Sequence, residues 1–278
     1  MQLDLFEILK VIFLGIVEGI TEWLPISSTG HMLLVDEFLH LSARDEFKEM
    51  FFVVIQLGAI LAVVLLFWNK MWPFQFRDKN RSVLRYTVWN MWFKVVVACI
   101  PGAVVTLLFD DYIEAHFHTP LVIACTLIFY GVAFIAIEKW NKSRSPKVTR
   151  LRDMTYTTAL LIGVFQVLSI IPGTSRSGST IIGALLLGVS RTVAAEFTFF
   201  MAVPVMFGLS FIKLLKFGFA FTGSEIIILL VGCVVAFLVS VVVIKFLMDY
   251  IRKHDFSVFG IYRIVLGALV LLYFFVLA

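Results

Sequence analysis

The chain has 278 residues, 61% hydrophobic and only 15% charged, against roughly 45–50% apolar and 25% charged in soluble domains. With a mean hydropathy of +1.00, 29 Phe and 6 Trp, this excludes a soluble globule, a disordered chain, collagen and a coiled coil. It predicts an all-α integral membrane protein whose apolar surface faces lipid.

In chain order, the first apolar region runs from Leu9 to Leu39 and is cut at Pro25-Ile26-Ser27-Ser28-Thr29-Gly30. Irregular backbone at membrane depth is tolerated only where protein or a wet cavity satisfies it, so the spacing predicts a re-entrant helical hairpin over 9–39. Three uncharged runs follow, Phe51 to Trp68, Val95 to Phe109 and Pro120 to Ile137. Each is long enough, with its flanks, to cross a ~30 Å hydrocarbon layer. A second interrupted region, Thr157 to Val189, is cut at Pro172-Gly173-Thr174-Ser175-Arg176-Ser177-Gly178 and predicts a second hairpin over 157–189. Phe197 to Ile212, Ile226 to Ile244 and Ile264 to Ala278 complete six crossings. The shorter runs are expected to extend through interfacial positions such as Lys94, Lys213 and Arg263. Cys99, Cys125 and Cys233 lie within apolar runs and are expected to pack as small hydrophobes.

Charge orients the bundle. The connection from Asn69 to Lys94 holds Lys70, Arg77, Lys79, Arg81, Arg85 and Lys94 against Asp78 alone, and the stretch from Glu138 to Asp153 is also basic. Both are expected on the cytoplasmic side, and the acidic stretches 36–49 and 110–114 on the outer side. Lys213 and Lys216 conflict mildly with that scheme. The net charge of +4 does not imply nucleic acid, because the basic residues are spread among loops rather than gathered in one patch. His116-x-His118 reads as an outer interfacial loop.

Gly15-x-x-Glu18 before Pro25-x-Ser27-Ser28 is echoed by Gly163-x-x-Gln166 before Pro172-x-Thr174-Ser175, first 148 and then 147 residues later. The two halves, 1–140 and 150–278 of a single membrane domain, therefore read as repeats. One hairpin plus three crossings in each would invert the second half relative to the first. Both hairpin tips are then expected to point at one ligand near the midplane.

Glu18 and Glu22 stand four residues apart on one helical face inside an apolar arm. Carboxylates so placed call for a cation, a proton or a basic partner. Ser27, Ser28, Thr29 and His31 add hydroxyls and an imidazole at the next helix start, where Ser27 alone would be an ordinary N-cap. The second turn, Pro172 through Thr180, gathers Gly173, Thr174, Ser175, Ser177 and Thr180 around the permanent cation of Arg176. Helix-start N–H groups and a guanidinium fork favour a phosphate or similar oxyanion. Acids and an anion site are compatible if a divalent cation bridges them, and oxygen ligands favour Mg²⁺ or Ca²⁺. The pattern predicts metal-assisted phosphoryl hydrolysis on a lipid.

These residues resemble the undecaprenyl-diphosphate phosphatase family, also called the bacitracin-resistance protein family. Its E-x-x-x-E motif corresponds to Glu18 and Glu22, its following segment to Leu24 through His31, and its P-G-x-S-R-S-x-x-T motif to Pro172 through Thr180. The resemblance implies a bacterial plasma-membrane enzyme that removes the terminal phosphate of polyprenyl diphosphate, needs a divalent metal, opens toward the outer face and confers bacitracin resistance. An acid-phosphatase-like assignment is set aside, because Ser190-Arg191 is followed by Glu196 and Phe197 where that family needs a His.

On this reading Glu18 and Glu22 hold the metal, and Arg176 with Ser175 and Ser177 binds the diphosphate. Ser28 or water is the nucleophile, with His31 as base, acid or phosphoryl acceptor. The rival reading is a lipid or ion-coupled transporter or flippase using the same inverted-repeat site. Self-association is left open.

Overall fold

A computed structural model describes residues 4–75, 83–218 and 220–277. Arg77, Asp78, Lys79 and Arg81 of the basic connection, Ala278, and the side chains of Asp36, Asp110 and Asp111 lie outside the described set. The described chain is helical, with two isolated β-bridges and no strand among the described residues. The helices are α1 (Leu5–Thr21), α2 (Ser28–Phe38), α3 (Asp45–Val54), α4 (Gln56–Leu66), α5 (Trp68–Met71), α6 (Tyr86–Phe117), α7 (Pro120–Asn141), α8 (Tyr156–Val167), α9 (Arg176–Leu186), α10 (Arg191–Phe217), α11 (Gly223–Tyr250) and α12 (Ser257–Leu272).

Six segments are long and apolar enough to cross a bilayer: Asp45–Leu66, Tyr86–Phe109, Pro120–Asn141, Arg191–Phe217, Gly223–Tyr250 and Ser257–Val276. This is a multi-pass membrane protein, and each expected run overlaps one of these segments. The short runs do extend, back to Tyr86 through Lys94 and back to Ser257 through Arg263. Arg263 is nevertheless not interfacial. It is wholly buried, because its guanidinium has partners inside the protein. Lys213 lies 3.7 Å from Glu49, which accounts for a lysine among the acidic loops.

Both ends of the α1–α2 pair are tied together. Glu7 accepts from the Ser42 amide at 3.1 Å and hydroxyl at 2.9 Å, and Lys10 Nζ donates to the His40 carbonyl at 2.7 Å. The α8–α9 pair returns beside the end of α7, where Asn141 Nδ2 donates to the Leu185 carbonyl and the Lys147 amide to that of Gly188. The first pair is fastened to the start of α11 through Arg44 and Glu225, and the start of α10 to α7 through Arg191 and Glu138.

Glycines decide which helices touch. α1 packs on α11 and α8 on α6. A Cβ on Gly15 would meet the Gly232 carbonyl oxygen at 3.0 Å, and one on Gly163, 148 residues on, would collide with the Ala98 carbonyl. Where α7 meets α12 the approach is reciprocal: a Cβ on either Gly131 or Gly260 would stand 2.6 Å from the other's carbonyl oxygen. Such backbone contact replaces the hydrophobic drive that lipid does not supply between helices. Gly183 is also closely packed, against Phe165, whereas Gly208 has open space where its Cβ would be.

The turns at the two tips are built alike. Ser27 (φ 73°) and Ser175 (φ 71°) are the non-glycine residues with positive φ among the described residues. Each caps its helix, Ser27 Oγ accepting from the Gly30 amide and Ser175 Oγ from the Gly178 amide. The structure therefore pairs Ser27 with Ser175, 148 apart, rather than with Thr174. The 147-residue offset is local to the prolines, and the count is restored by Gly173, itself at φ +85°. A side chain held at positive φ costs ~1–3 kcal/mol, a strain that accumulates at functional sites.

Arg263 of α12 holds the tips together. Its Nη1 donates to the Pro25 carbonyl at 3.2 Å, and its Nη2 to the carbonyls of Gly173 at 2.8 Å and Thr174 at 2.9 Å. Removing the guanidinium would leave three carbonyls short of a donor in a dry interior, at ~1–3 kcal/mol each. Arg263→Met is expected to lower the midpoint of thermal unfolding in detergent markedly, and an unchanged midpoint would remove Arg263 from this role. Gly163→Val should likewise cost far more stability than Gly223→Val, where a Cβ would have nothing within 4 Å.

Candidate active site

The first tip forms because α1 cannot continue past Glu22: Pro25 disfavours helix at the residue before it, and Ser27 starts a new helix. Glu22 is the C-cap of α1, so its carboxylate projects past the helix end toward the second tip. There Arg176 opens α9 and directs Nη2 to Glu22 Oε1 at 3.0 Å and Nη1 to the Thr198 carbonyl of α10 at 3.2 Å. Ser28 Oγ donates to the other carboxylate oxygen, Oε2, at 2.9 Å. Ser177 Oγ donates to the Glu22 carbonyl at 3.3 Å. The two tips are thus joined through one carboxylate.

Beside this joint lies a cavity of about 480 Å³. Glu22, Ser28, Thr29, Gly173, Ser175 and Arg176 form its polar end. Its walls are mostly apolar, from Gly102 to Leu107 of α6, Val167 at the end of α8 with Ser169 and Ile170 beyond it, and Pro204 to Ile212 of α10. The starts of α2 and α9 both reach it. The first N–H groups of a helix have no partner within it and carry the positive end of the dipole, so an anion here meets two helix N-termini and a guanidinium. A carboxylate already holding a serine hydroxyl makes that oxygen a candidate nucleophile.

Other expected site residues stand behind this surface. Thr180 Oγ1 donates to the Arg176 carbonyl at 2.9 Å and accepts from Thr198 Oγ1 at 2.9 Å, bracing the arginine's backbone. Ser27 caps α2, and Thr174 is buried with its carbonyl on Arg263. His31 does not line the cavity: Nδ1 lies 2.7 Å from the Ser27 carbonyl, and Nε2 lies 2.7 Å from the hydroxyl of Tyr262, on which the ring stacks. The group touching Ser28 is Glu22. His116, at the end of α6, stacks on Tyr112, and no group of three or more His, Cys, Asp or Glu gathers among the described residues.

Glu18 is buried one turn before Glu22, and its Oε1 has no hydrogen-bond partner. A buried carboxylate oxygen lacking a donor fits a cation ligand, and Mg²⁺ is held by one or two carboxylates plus substrate phosphates rather than by an all-protein cage. The donor set therefore fits a divalent cation at Glu18 and Glu22.

Sequence reasoning missed Gln56, Gln166 as a lining residue, the Thr198 carbonyl and Arg263. Gln56 and Gln166 carried a readable signal, since an amide in an apolar run needs a partner as a carboxylate does. The Thr198 carbonyl carried none, because any residue supplies one.

The chain is similar to known proteins over nearly its whole length. An undecaprenyl-diphosphatase of Enterococcus faecalis is 69% identical over 272 residues, covering 98% of this chain and 99% of its own. One from Desulfitobacterium hafniense is 64% identical over 271 residues, covering 97% of each. One from Streptococcus agalactiae is 54% identical over 275 residues, covering 98% of each. Residues 11–269 match the family described as bacitracin resistance protein BacA, and the chain belongs to that family.

Proposed function

We propose that the chain is an undecaprenyl-diphosphatase, hydrolysing the polyprenyl diphosphate of the cell-wall lipid carrier to the monophosphate and inorganic phosphate. The observation that carries this reading is the contact of Ser28 and Arg176 with the two oxygens of Glu22, at the base of an apolar-walled cavity. The polar end suits a diphosphate and the walls suit an isoprenoid chain.

The terminal phosphate lies against the starts of α2 and α9. Ser28 Oγ attacks its phosphorus and passes its proton to Glu22, while the bond to the bridging oxygen breaks and the lipid monophosphate departs. Water then cleaves the Ser28 phosphate ester: its hydroxyl joins the phosphorus and its other proton leaves with the inorganic phosphate, while Glu22 returns its proton to the Ser28 oxygen. Arg176 orients Glu22 and stabilises the charge on the equatorial oxygens. A divalent cation held by Glu18 and Glu22 would supply further neutralisation of the phosphate oxygens.

The halves 1–140 and 150–278 act in this reading as inverted repeats with re-entrant hairpins. Supporting it are the matched serine turns, the paired Gly15 and Gly163 contacts, and hairpin ends fastened in different loop sets. The protein resides in the bacterial plasma membrane with its basic loops inside. The cavity opens to the outer face, because its α6 and α10 walls lie toward the helix ends remote from those loops.

Arg176→Lys, which keeps the charge and loses the fork, should lower kcat ~100-fold with a smaller effect on KM. Unchanged kcat would exclude the arginine from the transition state. Glu22→Gln should abolish the chelator-sensitive release of phosphate, and activity with ordinary metal dependence would remove the acid pair from cation binding. Mass spectrometry of enzyme quenched during turnover should find phosphate on Ser28. Turnover without any phosphorylated residue would mean direct attack by water. Phosphate release by purified protein in detergent, where no gradient exists, separates hydrolysis from transport.

A further inference from the structure

Gln166 has no part in the chemistry above. It lies at the end of α8, 6% exposed, and lines the cavity. Its Oε1 is buried without a hydrogen-bond partner. Its Nε2 rests over the bare backbone of Gly102, only 2.8 Å from where a Cβ would stand. Burying an amide with so little satisfaction costs ~1–3 kcal/mol, and a leucine there would pack without that cost. Oε1, an acceptor, gains nothing from an anion, but Nε2 is a donor, and a ligand oxygen in the cavity that accepts from it accounts for the amide's presence.

We propose that Gln166 binds the phosphate that stays on the lipid, the leaving group of the reaction. This inference rests on the proposed hydrolysis in the same cavity. The transferred phosphate is already served by Ser28, Arg176 and two helix starts. Beyond it the substrate meets the lining from the end of α8 onward, which is Gln166 and Val167, then Ser169 and Ile170; the Ser169 hydroxyl is spent on the Gln166 carbonyl at 2.7 Å, which leaves the Gln166 amide as the polar group of this stretch. The position also differs between the halves in a telling way. Its counterpart 148 residues earlier is Glu18, which does not line the cavity. A carboxylate at 166 would repel a phosphate that gains negative charge as the bridging bond breaks, whereas an amide NH₂ donates to it. Gly102 completes the arrangement by leaving the amide room.

The test uses purified full-length protein in detergent with polyprenyl diphosphate as substrate, and polyprenyl monophosphate and inorganic phosphate as product inhibitors. Gln166→Leu should weaken inhibition by the monophosphate ~10-fold or more, as expected for losing a hydrogen bond to a charged group, while inhibition by inorganic phosphate is unchanged. Gln166→Glu should weaken it further. Gly102→Ala, which displaces only the tip of the glutamine, should reproduce the Gln166→Leu pattern at unaltered thermal stability, and decides the matter if the Gln166 variants fail to fold. Equal weakening of both inhibitors, or of neither, overturns the assignment. Arg176→Lys serves as the control: if it leaves turnover intact the cavity itself is misread, whereas a damaged Arg176→Lys beside an indifferent Gln166 removes only this inference.

Discussion

Everything at the centre of the molecule depends on three carbonyls and one guanidinium. Each tip is a break between two helices inside the protein, and such a break leaves backbone oxygens that a dry interior does not satisfy. Arg263 supplies donors to Pro25 of one tip and to Gly173 and Thr174 of the other. Because one rigid, planar group serves both, the tips cannot drift apart without losing the bonds that make the breaks tolerable. The contacts of Glu22 with Arg176 and Ser28 need that fixed spacing, since a phosphoryl site misplaced by about an ångström loses much of its advantage.

Similar turns perform different tasks in the two halves. Counting 148 residues from the first turn to the second pairs Ser27 with Ser175 and Gly30 with Gly178, the cap and its donor in each case. The residue after the cap is Ser28 in one half and Arg176 in the other, a hydroxyl and a cation that meet the same carboxylate. One turn before the first tip stands Glu18, and at the same place before the second stands Gln166. Backbone geometry is common to the two turns and the differences lie in the side chains, so two similar supports present unlike groups to one cavity.

The apolar surround is as necessary as the polar centre. Glycine-lined contacts bring α1 onto α11, α8 onto α6 and α7 onto α12, and the first two hold the shorter helices α1 and α8 against helices long enough to cross a bilayer. The walls contributed by α6 and α10 give the cavity an apolar side, and water excluded by them leaves the charged contacts at Glu22 less screened than they would be at a surface.

The sequence by itself determined the class, the six crossings, the two interrupted segments and most of the polar end of the cavity, because hydropathy, proline and clustered hydroxyls act locally and can be read in one dimension. Glu22, Ser28 and Arg176 were legible for that reason: a charge or a broken helix in an apolar run has no cheap explanation. The residue that accepts from Ser28, the outward turn of His31 to Tyr262, the burial of Arg263 and the lining role of Gln166 were decided only by tertiary structure. Each depends on which groups come within about 3 Å of one another once the chain has folded, whether six residues apart, as Glu22 and Ser28 are, or 231 apart, as His31 and Tyr262 are, and neither charge nor spacing along the chain encodes that distance.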